Sequence, residues 1–104
     1  MLRVGFRDSE KAVIIRLEGA LVAEFAEAVK QSVLRGDIHR RLVVDISEIL
    51  FIDALGEGVL SWLKRIGGAF IADSSYSLHV CERLELPLAN KARHEPWNTD
   101  IISE

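Results

Sequence analysis

The chain carries a single cysteine, Cys81, among its 104 residues. A lone thiol excludes an intrachain disulfide and a cysteine-based zinc cluster, and points to a reducing, intracellular address. Long apolar runs are lacking too. No segment approaches membrane-spanning length, and the opening residues Met1-Leu2-Arg3-Val4-Gly5-Phe6-Arg7 turn polar too soon for a signal-peptide core. These absences lead us to expect a soluble, cytoplasmic protein without direct membrane insertion. Nor is there a block of like charge: the formal net charge is −3, spread over mixed acids and bases. The densest basic run, His39-Arg40-Arg41, stands alone, so no stripe exists to displace counterions and nucleic acid is not an expected partner. Internal repeats, low-complexity tracts and linkers are missing as well.

What is present suits one compact core. Apolar residues make up 49% and charged residues 28% of the chain, and a chain this long buries roughly two-thirds of its unfolded surface on folding. The length predicts a single domain over residues 1–104, with its core in about 2–90 and a tail, 91–104, of weak periodicity.

Leu2 to Phe6 and Ala12 to Leu17 are short β-branched and apolar runs separated by Arg7-Asp8-Ser9-Glu10-Lys11, the pattern of a hairpin. Its strands lie where edge pairing with a second copy would give a homodimer. Val22, Phe25, Ala26, Val29 and Val33 then recur at helical spacing, with Glu24, Glu27, Lys30 and Gln31 on the other side. Gly36 stands where a left-handed helix cap is wanted. Leu42-Val43-Val44-Asp45-Ile46 reads as a central strand covered on both faces. A second helix places Leu55, Val59, Trp62, Leu63 and Ile66 on one side, Glu57, Ser61, Lys64 and Arg65 on the other, and closes at Gly67-Gly68. Ala69 to Ala72 is a fourth strand. Asp73-Ser74-Ser75 supplies capping chemistry for a third helix over about Tyr76–Leu86, limited by Pro87. Trp97 and Ile101-Ile102 offer material for one more strand or turn. The alternation of strands and helices predicts an α/β fold, with a central mixed sheet of about four or five strands and interleaved helices.

The stretch from Leu42 to Leu60 resembles the central signature of the STAS family, the anti-sigma-factor-antagonist type. In that family a buried strand ending in Asp is followed by a short turn, an aromatic-Ile-Asp, two small hydroxyl residues and a Gly-x-Gly that opens a helix; here Asp45, Phe51-Ile52-Asp53 and Gly56-Glu57-Gly58 stand in that order. Leu17-Glu18-Gly19-Ala20-Leu21 is similar to the family's strand end before the first helix. Gly67-Gly68 and the helix ending Cys81-Glu82-Arg83-Leu84 follow the family order. The likeness covers roughly residues 2–90 and implies a STAS-type domain that works by binding. Independently of the family, the stretch delivers Asp53 to the mouth of a helix. There it is placed to cap the helix amides or to meet a partner.

One departure matters. In phospho-regulated STAS members the residue after this Asp is a serine that a kinase-type anti-sigma factor phosphorylates, and the added charge switches binding off. Here that position is Ala54, and the next, commonly Ser or Thr, is Leu55. The resemblance therefore implies a binder without that phosphorylation site. Ser47 and Ser61 present their hydroxyls from other places. Glu57 brings a permanent charge to the first turn, either complementing the helix dipole or imitating the phosphorylated state. Leu55 either anchors a partner or tucks onto the core beside Val59. Trp62, at the flank of the helix, is a candidate interface anchor. The candidate partner-binding set is Asp53, Ala54, Leu55, Gly56, Glu57, Gly58, Ser61 and Trp62.

Chemistry-bearing alternatives are weak. His39, His79 and His94 are far apart and none sits at metal-ligand spacing, so no metal is expected. Cys81 falls mid-helix near Leu78 and Leu84, as a small core residue does, without an activating base. Gly56-Glu57-Gly58 lacks the further Gly and the Lys of a phosphate-binding loop. Asp45 and Asp53 are expected to satisfy backbone amides rather than form a catalytic pair. No catalytic residue and no cofactor is expected. Two readings follow from the resemblance: an anti-sigma-factor antagonist-like regulator binding a protein partner, such as an anti-sigma factor, without serine phosphorylation control, or an accessory STAS module of a lipid-transport ATPase or small-ligand sensor.

Overall fold

The computed structural model describes residues 1–8, 11–35 and 41–89. Elements follow in the order β1 (Leu2–Asp8), β2 (Ala12–Leu21), α1 (Ala23–Leu34), β3 (Arg41–Ile52), α2 (Ala54–Arg65), β4 (Ala69–Ile71) and α3 (Ser75–Leu84). The cap expected at Gly36 and the last strand or turn expected from Trp97 and Ile101-Ile102 fall outside the described residues.

The expected hairpin is present: β1 pairs antiparallel with β2, from Leu2 opposite Gly19 to Asp8 opposite Val13. Parallel pairing of β2 with β3 and of β3 with β4 requires long crossovers, and α1 and α2 supply them. The described sheet is thus mixed, in the order β1-β2-β3-β4, within the four or five strands expected. Beyond α3, Leu88 forms a parallel bridge with Phe70, so residues 87–89 run along the outer edge of β4.

Val43, Val44, Asp45 and Ile46 are all buried, as a strand covered on both faces requires. Ile15, Leu17, Leu21, Ile46, Ile49, Leu60, Leu63 and Phe70 belong to one apolar cluster that joins sheet and helices. Each such side chain contributes roughly 1.5–3 kcal/mol through removal from water. Cys81 is part of the same cluster, as its mid-helix position near Leu78 and Leu84 suggested.

Three expectations need correction. The short turn expected after Ile46 does not form: β3 runs unbroken from Arg41 to Ile52. It stays paired with β2 because two bulges absorb its extra length. Arg16 and Glu18 face Asp45 and Glu48, and Gly19 and Ala20 face Ile49 and Phe51, so β3 gains one residue at each shift. The apolar side assigned to α2 is also rotated. Its buried residues are Gly56, Val59, Leu60 and Leu63, while Leu55 and Ile66 are exposed. Leu60 completes the i, i+3, i+4 stripe from Gly56 that the close approach of α2 to β2 selects. Lastly, α3 begins at Ser75 and ends at Leu84, where Glu85 takes a left-handed conformation before Pro87.

Candidate functional site

The site is built where β3 ends and α2 begins. Asp53 is the N-cap of α2, and Gly56 N–H donates to its Oδ1 at 2.8 Å. Its second oxygen does something that spacing did not announce. Ala23 N–H, at the start of α1, donates to Asp53 Oδ2 at 2.9 Å. Val22, the N-cap of α1, makes no side-chain cap of its own, so one carboxylate serves the first turns of both helices. These backbone amides, Gly56 first and Ala23 second, hold the Asp53 carboxyl below its ordinary value. The positive end of α2 is thereby occupied from within the chain.

Gly56 is required by close approach. A Cβ there would stand 2.2 Å from Leu21 O and 2.9 Å from the Ile52 side chain, so α2 meets the end of β2 without space for any larger residue. Gly58 differs. A Cβ at Gly58 would meet nothing within 4 Å, and the residue is exposed. Glycine in a helix interior is unfavourable, and nothing within the described fold needs it at this position.

Ala54 and Leu55 face outward in the first turn of α2, with Leu55 61% exposed. Leu55 therefore does not tuck onto the core beside Val59. Five and four residues before it, at the end of β3, stand two residues absent from the candidate set: Leu50, 79% exposed, and Phe51, 54% exposed. A regular strand would alternate these positions between two faces. The second bulge inserts Leu50 as the unpaired residue, so Leu50 and Phe51 are both displayed while Ile49 and Ile52 stay buried.

Glu57, assigned to the solvent side, is half-buried and paired with Arg83 near the end of α3. Each shifts the other: the Arg83 guanidinium lowers the Glu57 carboxyl, and Glu57 raises Arg83 further. The Glu57 charge is thus directed at α3. Tyr76, in the first turn of α3, accepts Ile52 N–H on its hydroxyl at 2.9 Å. Two side chains of α3 therefore fasten it to the β3–α2 junction. The third helix is itself closed by a capping box in which Ser77 N–H donates to Ser74 Oγ at 3.0 Å and Ser74 N–H to Ser77 Oγ at 3.0 Å.

Trp62 is half-buried, packs on the core cluster and lies under Lys30 of α1, whose Nζ is 5.5 Å from the ring centroid. Ser61 is half-buried beside it. Structure thus brings Asp53 to Gly58 together with Leu50 and Phe51, and sets Trp62 two turns along, under α1. Asp45 and Asp53 do not pair: Asp45 is buried within β3 and accepts Ser47 N–H at 2.9 Å. Ser47 lies in the first bulge with its Oγ screened from solvent. Among the described residues, no three His, Cys, Asp or Glu side chains group as a metal site would require. No described helix is long and apolar enough to cross a membrane.

The four-stranded mixed sheet with its three helices matches the STAS, or SpoIIAA-like, fold on comparison with solved structures. The anti-sigma factor antagonist SpoIIAA in its unphosphorylated form superposes with a TM-score of 0.67 at 16% identity, over 86% of this chain and 90% of that one. An anti-sigma factor antagonist from Mycobacterium paratuberculosis gives a TM-score of 0.65 at 17% identity, over 82% of this chain and 79% of its own. A Shewanella loihica protein with a SpoIIAA-like fold gives 0.52 at 16% identity, over 84% and 80%. No protein-family model matches the sequence, and no curated protein matches it.

Proposed function

We propose that this chain is a regulatory protein-binding module of the anti-sigma-factor-antagonist kind, working without serine phosphorylation at the start of α2. The observation that carries the reading is the display of Leu50, Phe51 and Leu55 at one junction, beside a Gly58 with empty space around it. Exposed aliphatic and aromatic side chains grouped on a rigid element are the material of interface anchors. A helix position without a Cβ lets a partner's backbone approach closely. The face is held in place by Asp53 and by the Glu57–Arg83 pair, so it is offered ready-formed, which lowers the ordering cost of association.

The fold shared with two anti-sigma factor antagonists supports a kinase-type anti-sigma factor as the partner. Ala54 and Leu55 supply no hydroxyl, so the charge switch at those positions is absent and binding is set by partner concentration. The binding role also agrees with amides of α2 that are committed to Asp53 rather than open to a small anion.

The test is affinity capture from a lysate of the source organism with the wild type and with Leu55→Glu, followed by identification of the captured proteins. Capture of an anti-sigma-type kinase by the wild type, lost with Leu55→Glu, supports the reading. Equal capture by both proteins contradicts it.

A further inference from the structure

A second surface lies at the opposite end of the molecule, and it is built from different residues. Because Asp53 caps both α1 and α2, the two helices start together, and Lys30 over Trp62 shows that they still run side by side further on. One turn past that contact come Leu34 and Ile66, 55% and 43% exposed. Each follows that contact by four residues on its own helix, so both exposed aliphatics lie at the end where the two helices close.

The same end collects cations. Arg35 caps α1, and Lys64 and Arg65 close α2. The turn after α2 folds back so that Gly68 N–H donates to Leu63 O at 2.9 Å, and the space at Gly68 is bounded by Leu42, next to Arg41. Arg41 N–H in turn donates to Lys11 O at 3.3 Å. All five cations are exposed. Against them, among the described residues, stand Asp8, at the end of β1, and Glu85, exposed two residues before Pro87 at the start of the strip beside β4. Among the described residues this end therefore carries more cations than acids, in a chain of net charge −3. Exposed Glu24 and Glu48 belong to the other end, with Asp53.

Complementing helix C-termini accounts for Lys64 and Arg65. It leaves Lys11, Arg41 and the two exposed aliphatics without a role. We propose that this end docks on an anionic phospholipid surface, with the cations facing the headgroups and Leu34 and Ile66 seated at the acyl boundary. Aliphatic side chains between cations are what an interfacial contact uses. Backbone-tracking nucleic-acid binding relies on an extended basic stripe or stacking aromatics, which two aliphatics between cations do not supply. The two surfaces are at opposite ends, so a docked molecule still presents Leu50, Phe51 and Leu55.

The experiment is flotation of the full chain with vesicles of phosphatidylcholine alone, and with vesicles containing phosphatidylglycerol, at low and high salt. Binding only to the anionic vesicles, weakened by salt, is expected. Each cation near such a surface is worth roughly a five-fold change in partitioning, so Lys64→Gln with Arg65→Gln should weaken it about twenty-five-fold. Ile66→Ser should weaken it as well, whereas Glu48→Gln, at the far end, should not. Circular dichroism of each variant separates lost binding from lost folding. No binding to anionic vesicles, equal binding to phosphatidylcholine alone, an unchanged double variant, or binding to duplex DNA in place of vesicles would each overturn the proposal.

Discussion

The Asp53 carboxylate accepts the amide hydrogen of Ala23, thirty residues earlier in the chain, while its other oxygen accepts that of Gly56. One side chain thus sets the relative position of α1 and α2 at the mouth of the candidate site. Asp53→Asn keeps an oxygen acceptor for one helix but not two charge-assisted bonds, and Asp53→Ala keeps neither. Thermal melts are expected to rank wild type above Asn above Ala. Amide exchange should accelerate in the first turn of α1 as well as that of α2. Exchange confined to α2 would mean that the Ala23 bond contributes nothing.

Acid should weaken the same junction. The Asp53 carboxyl is held below its ordinary 3.8 by the amides it accepts, so the folded state favours the carboxylate. Its contribution is complete above the unfolded value and is lost as pH falls through the lower, folded one. Glu57, lowered by Arg83, behaves in the same sense. Denaturant midpoints should therefore fall as pH drops below about 4, and Asp53→Asn should flatten that fall.

Cys81 gives a prediction of opposite sign. Only 4% exposed, its thiol is pushed up to about 11 by burial, so the folded state favours the neutral form. At pH 8 roughly one folded molecule in a thousand carries the thiolate. A thiol-reactive reagent should label the native protein slowly and the denatured protein at the ordinary rate of a free cysteine. Its contribution to stability is complete below 9, the ordinary value, and is lost as pH rises through about 11. Rapid labelling of the native protein at pH 8 would contradict this account of the core.

Much of this was legible in the sequence, and the part that was not has a physical cause. Asp53 three residues before Gly56 is a local capping pattern, and local patterns can be read directly. Its bond to Ala23 and the pairing of Glu57 with Arg83 join residues remote in sequence, and no spacing rule reaches across separate elements. The run Ile49-Leu50-Phe51-Ile52 is uniformly apolar, so its sequence does not say which members are outside. That is decided by a bulge, which depends on pairing with β2. Leu55 and Ile66 fit an apolar helical stripe as well as Leu60 does; the choice follows from Gly56 meeting Leu21, a tertiary contact. Trp62, a candidate anchor from its flank position, is under Lys30, which makes Leu55 the cleaner probe of the face.

The two glycines of α2 should respond oppositely to one added methyl. Gly56→Ala forces a Cβ against Leu21 O and should cost about 3 kcal/mol, the scale of overpacking. Urea denaturation should show it as a lower midpoint. Equal stability of Gly56→Ala and the wild type would mean that α2 is not seated as tightly on β2 as described.

Gly58→Ala is the most direct probe of the binding face, because the methyl enters empty space and improves helix propensity. The measurement is a thermal melt paired with calorimetric titration against the partner captured by the wild type. An open Gly58 face implies a protein stabilised by about 0.5–1 kcal/mol that nevertheless binds more weakly, since the methyl fills the space left for the partner. A variant that is more stable and binds as tightly as the wild type would contradict it.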